Sequence, residues 1–451
     1  MMTTEGRALH DRGTALVAVT VLLGLIAALS AGLSLSATTA VAIAANLASA
    51  LEARAAAEAG VQHGLAAALP VLERWRSRGF SSPTEAFTDA LSGGAVRAAM
   101  DAAGFPRSAV AVPAGHGQSY TVQIMDDDAP GRGLARADVT AIGEDGAAVT
   151  DRNARIVIRS TGVSLRGASA TVEAIVGAAP LPAILVRGGL TLGAVSVSGT
   201  EGDVHVRGEV VASGETRIVG DLTTTGVPHV LSSRADVGGR FGHARAIPIP
   251  DIHPVQFRAL ATVVMGADGT VQTPVGDVLC RPPGATCPPE VAPWSWTSDG
   301  WRCPELPEAA TTFYVEGDVV VEGPFGSPAS QGAPGQVTLS LLATGSITVR
   351  GEFDLRPALG GVLFVAGGDV RVEGALRAEA EEGLVAAGEQ IAITGASRLA
   401  GVILAAGTGA RSAVVTQNEV GGGLGLVSDG TLAAHGVVTV RVLGWRRHQA
   451  W

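Results

Sequence analysis

Asp318, Asp369 and Glu389 each directly follow a glycine, at one recurring slot in the C-terminal half of the chain. Carboxylates stacked on one wall could serve as general acid and base in cleaving a glycan. The same slot also holds Ser346, Thr408 and Thr431, and small polar or acidic residues after a corner glycine commonly satisfy turn backbone. The slot is therefore read as a turn position, with no catalytic residue assigned. Neither a Ser-His-Asp set nor a glycine-rich phosphate loop stands out, and no cofactor is expected.

Other residues invite metal or redox chemistry. Asp126, Asp127 and Asp128 offer hard oxygens for calcium, but six or more are needed and no EF-hand spacing follows, so a solvated turn is expected. Cys280, Cys287 and Cys303 fall in one Pro- and Trp-rich stretch. An exported loop of this kind predicts one disulfide; loop size favours Cys287–Cys303 or Cys280–Cys303 and leaves one thiol over. Zinc would want a fourth ligand, for which His253 is nearest, and no metal site is assigned. His205, on an alternating strand, reads as an outward polar residue rather than a ligand.

These residues sit on a repeat. Apolar segments closed by Gly345, Gly368, Gly388, Gly407 and Gly430 recur at about 19–23 residues, a period of stacked supersecondary units. After several of these glycines a second alternating strand follows, as in residues 318–323, 346–351 and 369–374. Aligning the three points Val319, Ile347 and Val370 inward, with Val321, Val349 and Val372 beside them. Glu322, Arg350 and Glu373 then form an outer ladder of alternating charge. Short strands turning at glycine corners predict a right-handed parallel β-helix. Its first rungs lie in 180–245 and its main repeats and tail in 311–451, with repeats expected to run to about 443. Between them, 246–310 is an excursion that begins on a rigid, proline-spaced extended linker.

Ahead of the repeat, 79–179 reads as a small α+β domain. A short helix is predicted over 83–103, followed by alternating strands over 120–124, 137–142, 153–160 and 169–176. These form a small antiparallel sheet packed on a long N-terminal helix. The fold class is thus α+β followed by all-β.

That helix is the strongest signal. Residues 13–51 carry no charge, between Arg12 and Glu52, whereas about 20 apolar residues suffice to cross a bilayer. Leu16, Leu22, Leu25 and Leu29 lie in the part suited to lipid. Ser30, Ser34, Ser36, Thr38 and Thr39 among alanines suit close helix packing. Farther on, Leu51, Leu65, Leu69 and Leu72 mark an apolar face toward a globular body, Pro70 marks a potential kink, and Trp75 a solvated helix end. Residues 14–78 form this transmembrane helix, and 1–13 a leader or cytoplasmic stub. Arg7 and Arg12 place the N-terminus inside by the positive-inside rule. The net charge is −10 with no lysine, so the electrostatic footprint of nucleic-acid binding is missing.

The order Arg12-Gly13-Thr14-Ala15-Leu16-Val17, the long apolar run, and then Glu52-Ala53-Arg54-Ala55-Ala56-Ala57-Glu58-Ala59-Gly60-Val61 together resemble the start of PilX-type pilus-assembly proteins, in the type IV pilin and pseudopilin group. The resemblance covers about the first 70 residues. It implies cleavage by a prepilin peptidase after Gly13, leaving Thr14 first, and pilin or pseudopilin subunits as partners of the helix. Pilins of the main filament carry Glu at the fifth mature position; here it is Ala18, which fits a minor, tip or priming subunit better. The reading is a single-pass protein of a bacterial inner membrane with a periplasmic or extracellular body, acting in filament assembly or surface contact. Two alternatives are an anchored surface adhesin and, less favoured, a carbohydrate-active β-helix enzyme.

Overall fold

The computed structural model describes residues 5–75, 78–80, 82–106, 108–112, 117–127, 154–226, 234–281, 287–289, 291–304, 310–324, 336–407, 417–432 and 438–448. The first element, α1 (Glu5–Leu72), is one helix of 68 residues, roughly 100 Å long at the usual rise. Its two halves differ. Leu16, Leu22, Leu25 and Leu29 are 55–70% exposed, whereas Ala53, Ala57, Val61, Leu65, Ala68 and Leu72 are buried at the three- and four-residue spacing of one helix face. Leu65 and Leu72 join that face as expected, but Leu51 remains exposed. Pro70 lies within the last turn of α1, and Trp75 just beyond is 3% exposed. The expected solvated helix end is therefore a buried one, because Trp75 is drawn into the core formed by α1, two short helices and the sheet.

The predicted helix over 83–103 is divided into α2 (Pro83–Ser92) and α3 (Ala95–Ala102). Ser82 caps α2 by accepting the Glu85 N–H, and Gly93, with φ of 89°, ends it. Against α1 packs an antiparallel sheet in the spatial order Val110–Ala111, Ser119–Asp126, Arg155–Val163, Ser169–Pro180 and Val438–His448. The expected strand over 137–142 falls outside the described residues. The fifth strand corrects the expectation that repeats run to about 443: Val438–His448 pairs with Ser169–Pro180 and completes this collar. Alternating Val438, Val440 and Val442 suit either kind of sheet, so periodicity alone does not choose the partner.

The remaining chain forms a large β-rich region of stacked parallel pairs. One face runs through Phe241–His243, Leu222–Thr224, Val204–Arg207, Ile184–Arg187, Arg398–Ala405, the end of Val370–Ala387, Val362–Ala366, Val337–Ala343, Thr311–Val315 and Val263–Met265. The order in space is not the order in sequence. The chain enters mid-stack at Ile184, proceeds to one end at His243, and returns along a strap over residues 244–261 to the opposite end. It then winds back until Ile403, Leu404 and Ala405 pair with Ile184, Leu185 and Val186. Within 246–310, Val263–Met265 and Gly300–Cys303 pair in parallel with Thr311–Val315 and Val319–Pro324, so part of that stretch belongs to the stack.

Inside lie Ile184, Val186, Val319, Ile347, Val370 and their equivalents. Val319 pairs with Ile347 and Ile347 with Val370, placing Arg350 between Glu322 and Glu373 at 3.0 and 2.9 Å, the ladder read from the repeat. The opposite side of the first face is also apolar: Leu185, Val264, Tyr314, Leu342, Val365 and Leu404 lie beneath Ile252 and Phe257 of the strap.

Candidate functional site

Among the described residues, the stretch of α1 from Leu16 to Leu47 carries a long run of exposed large apolar side chains. No charged residue occurs from Gly13 to Leu51, and three threonines of this stretch turn their hydroxyls back to the helix. Thr20 donates to the Leu16 carbonyl at 2.8 Å, Thr38 to Ser34 at 3.0 Å and Thr39 to Leu35 at 2.8 Å. Satisfying polar groups within the helix is what an apolar surrounding demands. Residues 16–72 include a stretch long and apolar enough to cross a membrane, with mean hydropathy 2.5 and none of that window buried. Gly13 and Thr14 lie within α1, in helical backbone.

The other half of α1 is gripped by the collar. Ser49, 5% exposed, meets Ser164 at 2.6 Å where the contact begins. Farther along, a Cβ on Gly162 would lie 2.2 Å from the Ala53 carbonyl oxygen and 2.3 Å from the Ala57 nitrogen. Strand and helix backbones therefore touch, which glycine alone permits. Across the sheet Arg159 and Glu173 are register partners joined at 2.6 Å, with Glu173 wholly buried.

Two of the three slot carboxylates, Asp318 and Asp369, hold corners together. Asp318 Oδ1 accepts the Ser346 N–H at 2.7 Å, and Asp369 Oδ1 accepts that of Gln390 at 3.0 Å. In the early rungs Asp203 accepts the Asp221 N–H and Asp221 that of Arg240, both at 2.7 Å. Each side chain thus reaches to the next rung's backbone, the work expected of turn residues. Asp126 and Asp127 depart from expectation: they are 2% and 4% exposed, so the turn is not solvated, and Asp128 lies outside the described residues. Among the described residues no three His, Cys, Asp or Glu side chains gather as metal ligands.

The disulfide joins Cys280 and Cys287, whose Cα atoms are 5.2 Å apart. This corrects the preference for a bridge to Cys303. Loop size ranks the pairs by chain entropy, but Cys303 ends a strand of the stack, opposite Val321, with its thiol buried in the core. His253 pairs with Asp251 at 2.8 Å. His205 points away from the stack core, as expected, yet it is 1% exposed because the strap lies over it. Its Nε2 accepts the Ile247 N–H at 3.1 Å, which leaves Nδ1 to donate to Thr223 Oγ1 at 2.9 Å. Burial, aided by Arg207 and Arg441, holds its pKa down at about 4.

Sequence reasoning passed over a cleft of about 600 Å³ between the end of α1, the stack and the strap, lined by Arg74, Arg187, Arg207 and Arg245. The available signal is the pair of segments 184–188 and 204–208, in each of which a short strand ends in Arg-Gly.

No family model matches the chain, and no curated protein matches it. Among solved structures it is similar to the competence-associated pilin ComZ from Thermus thermophilus, at 15% identity and a TM-score of 0.30, over 89% of this chain and 98% of that one. A superposition at that level bears on neither fold nor function.

Proposed function

We propose that this chain is a membrane-anchored, exported structural protein of the minor pilin or pseudopilin kind, and that its parallel stack is a right-handed β-helix borne outward on the helix. The observation that carries this reading is the division of α1 into an uncharged, exposed half and a half clamped by the collar. From Leu16 to Leu51 that exposed rod extends about 50 Å, more than the roughly 30 Å of bilayer hydrocarbon. The first part serves as the anchor in a bacterial inner membrane. The small-residue part beyond it packs against neighbouring pilin or pseudopilin helices. A prepilin peptidase cuts after Gly13, and with Ala18 at the fifth mature position the subunit takes a minor or terminal place. The reading includes no catalytic step, and two of the slot carboxylates, Asp318 and Asp369, are engaged by turn backbone.

The test is the N-terminal sequence and intact mass of the protein from membranes of its native host. The expected start is Thr14, with Gly13→Trp leaving the leader attached. A wild-type start at Met1 or Met2 would reduce the helix to an uncleaved anchor and sink the filament reading.

A further inference from the structure

Four arginines line the cleft between the end of α1, the stack and the strap: Arg74, Arg187, Arg207 and Arg245. Arg187 and Arg207 are register partners on adjacent parallel strands, about 4.8 Å apart at the backbone. Like charges placed side by side on neighbouring strands repel, so the pair costs stability when nothing lies between them. On the next two rungs the equivalent positions are Ala406 and Gly388, which keep the floor free of long side chains. Two carboxylates line the same cleft. Asp251 is engaged by His253, and burial pushes the Glu73 pKa up to about 7 against the pull of Arg207 and Arg74. Among the lining residues arginines outnumber carboxylates four to two, so the cleft concentrates positive charge in a chain whose net charge is −10.

We propose that this cleft is a binding site for an oxyanion, a phosphate or carboxylate group borne by a small soluble molecule, held by Arg187, Arg207 and Arg245. The planar forks of guanidiniums suit the paired oxygens of both groups, and the cleft volume is that of a small-molecule site. A lipid headgroup is too distant, because Glu73 stands roughly 30 Å along the helix beyond Leu51. An anion between Arg187 and Arg207 turns their repulsion into a shared attraction and ties stack, strap and helix end together. The site does not depend on whether the leader is removed.

The test is calorimetric titration of the full chain in detergent with inorganic phosphate and with succinate, at constant ionic strength, with chloride as reference. Saturable binding of either anion at millimolar concentration or below is expected, and the better one identifies the group. Arg187→Gln and Arg207→Gln should each weaken it at least tenfold without lowering the unliganded Tm, since each relieves a repulsion. Glu73→Gln should tighten it several-fold. Absence of binding by both anions, or unchanged affinity in both arginine variants, would overturn the proposal. If those two variants do not fold, Arg245→Gln on the exposed strap decides: a loss of affinity upholds the site and an unchanged affinity removes it.

Discussion

His205 shows how burial redirects a single side chain. On its strand it alternates with the inward Val204 and Val206, and only the strap's Ile247 N–H makes it an acceptor in a closed environment. Its folded pKa of about 4 lies below the ordinary 6.5, so the folded chain favours the neutral ring. The stabilisation is complete above about pH 6.5 and drains away as pH falls toward 4, on the order of 2 kcal/mol being lost near pH 5. Chemical denaturation at a series of pH values should show this slope, and His205→Leu should flatten it between pH 6.5 and 4. An identical slope in the variant would mean that another group sets the acid limit. Asp318 and Asp369 were legible as turn residues because serine and threonine share their place. The burial of Asp126 and Asp127 was not legible, since neighbouring elements rather than local sequence cover them.

At the level of elements, the junction of α1 with the collar depends on contact between backbones. Gly162 is where the strand crosses Ala53 and Ala57 with no room for a methyl group. Gly162→Val should force helix and sheet apart at a cost of about 3 kcal/mol or more. Limited proteolysis should then cut near the start of the collar, and wild-type resistance in the variant would show that the sheet yields without loss. The long helix, the antiparallel sheet and the inward positions of the repeats were readable because a period of 3.6 or 2 reports which face of an element is covered. The division of residues 83–103 into two helices also has a local cause, in the glycine pair at 93 and 94. The assignment of Val438–His448 to the collar has none, because its alternation is compatible with either sheet.

For the whole molecule, the decisive feature is the seam where the chain's late rungs meet its early ones. Asn418 joins them: its Oδ1 accepts the Ile391 N–H at 3.0 Å, and its Nδ2 donates to the carbonyls of Arg187 and Gly189 at 2.9 and 3.1 Å. Asn418→Ala leaves three buried or half-buried backbone groups without that partner and should cost roughly 2–4 kcal/mol. The expected reading is a lower denaturation midpoint with both halves of the stack still unfolding together; a variant as stable as wild type would place the seam's strength in strand pairing alone. The strap binds the same assembly from outside, held by His205 of the stack and by Thr439 of the collar, which donates to the Pro248 carbonyl at 2.9 Å. By itself the sequence determined the apolar helix, the repeat with its inward valines, and the register that sets Arg350 between Glu322 and Glu373, because each is written in spacings along the chain. Tertiary structure alone decided that Ile184 pairs with Ile403, that Cys280 takes Cys287, that the last strand closes the collar, and that Arg187 and Arg207 share a cleft with Arg74 and Arg245. The physical reason is that periodicity states which side of a strand must be buried, whereas its partner is chosen by contacts between residues far apart in the chain.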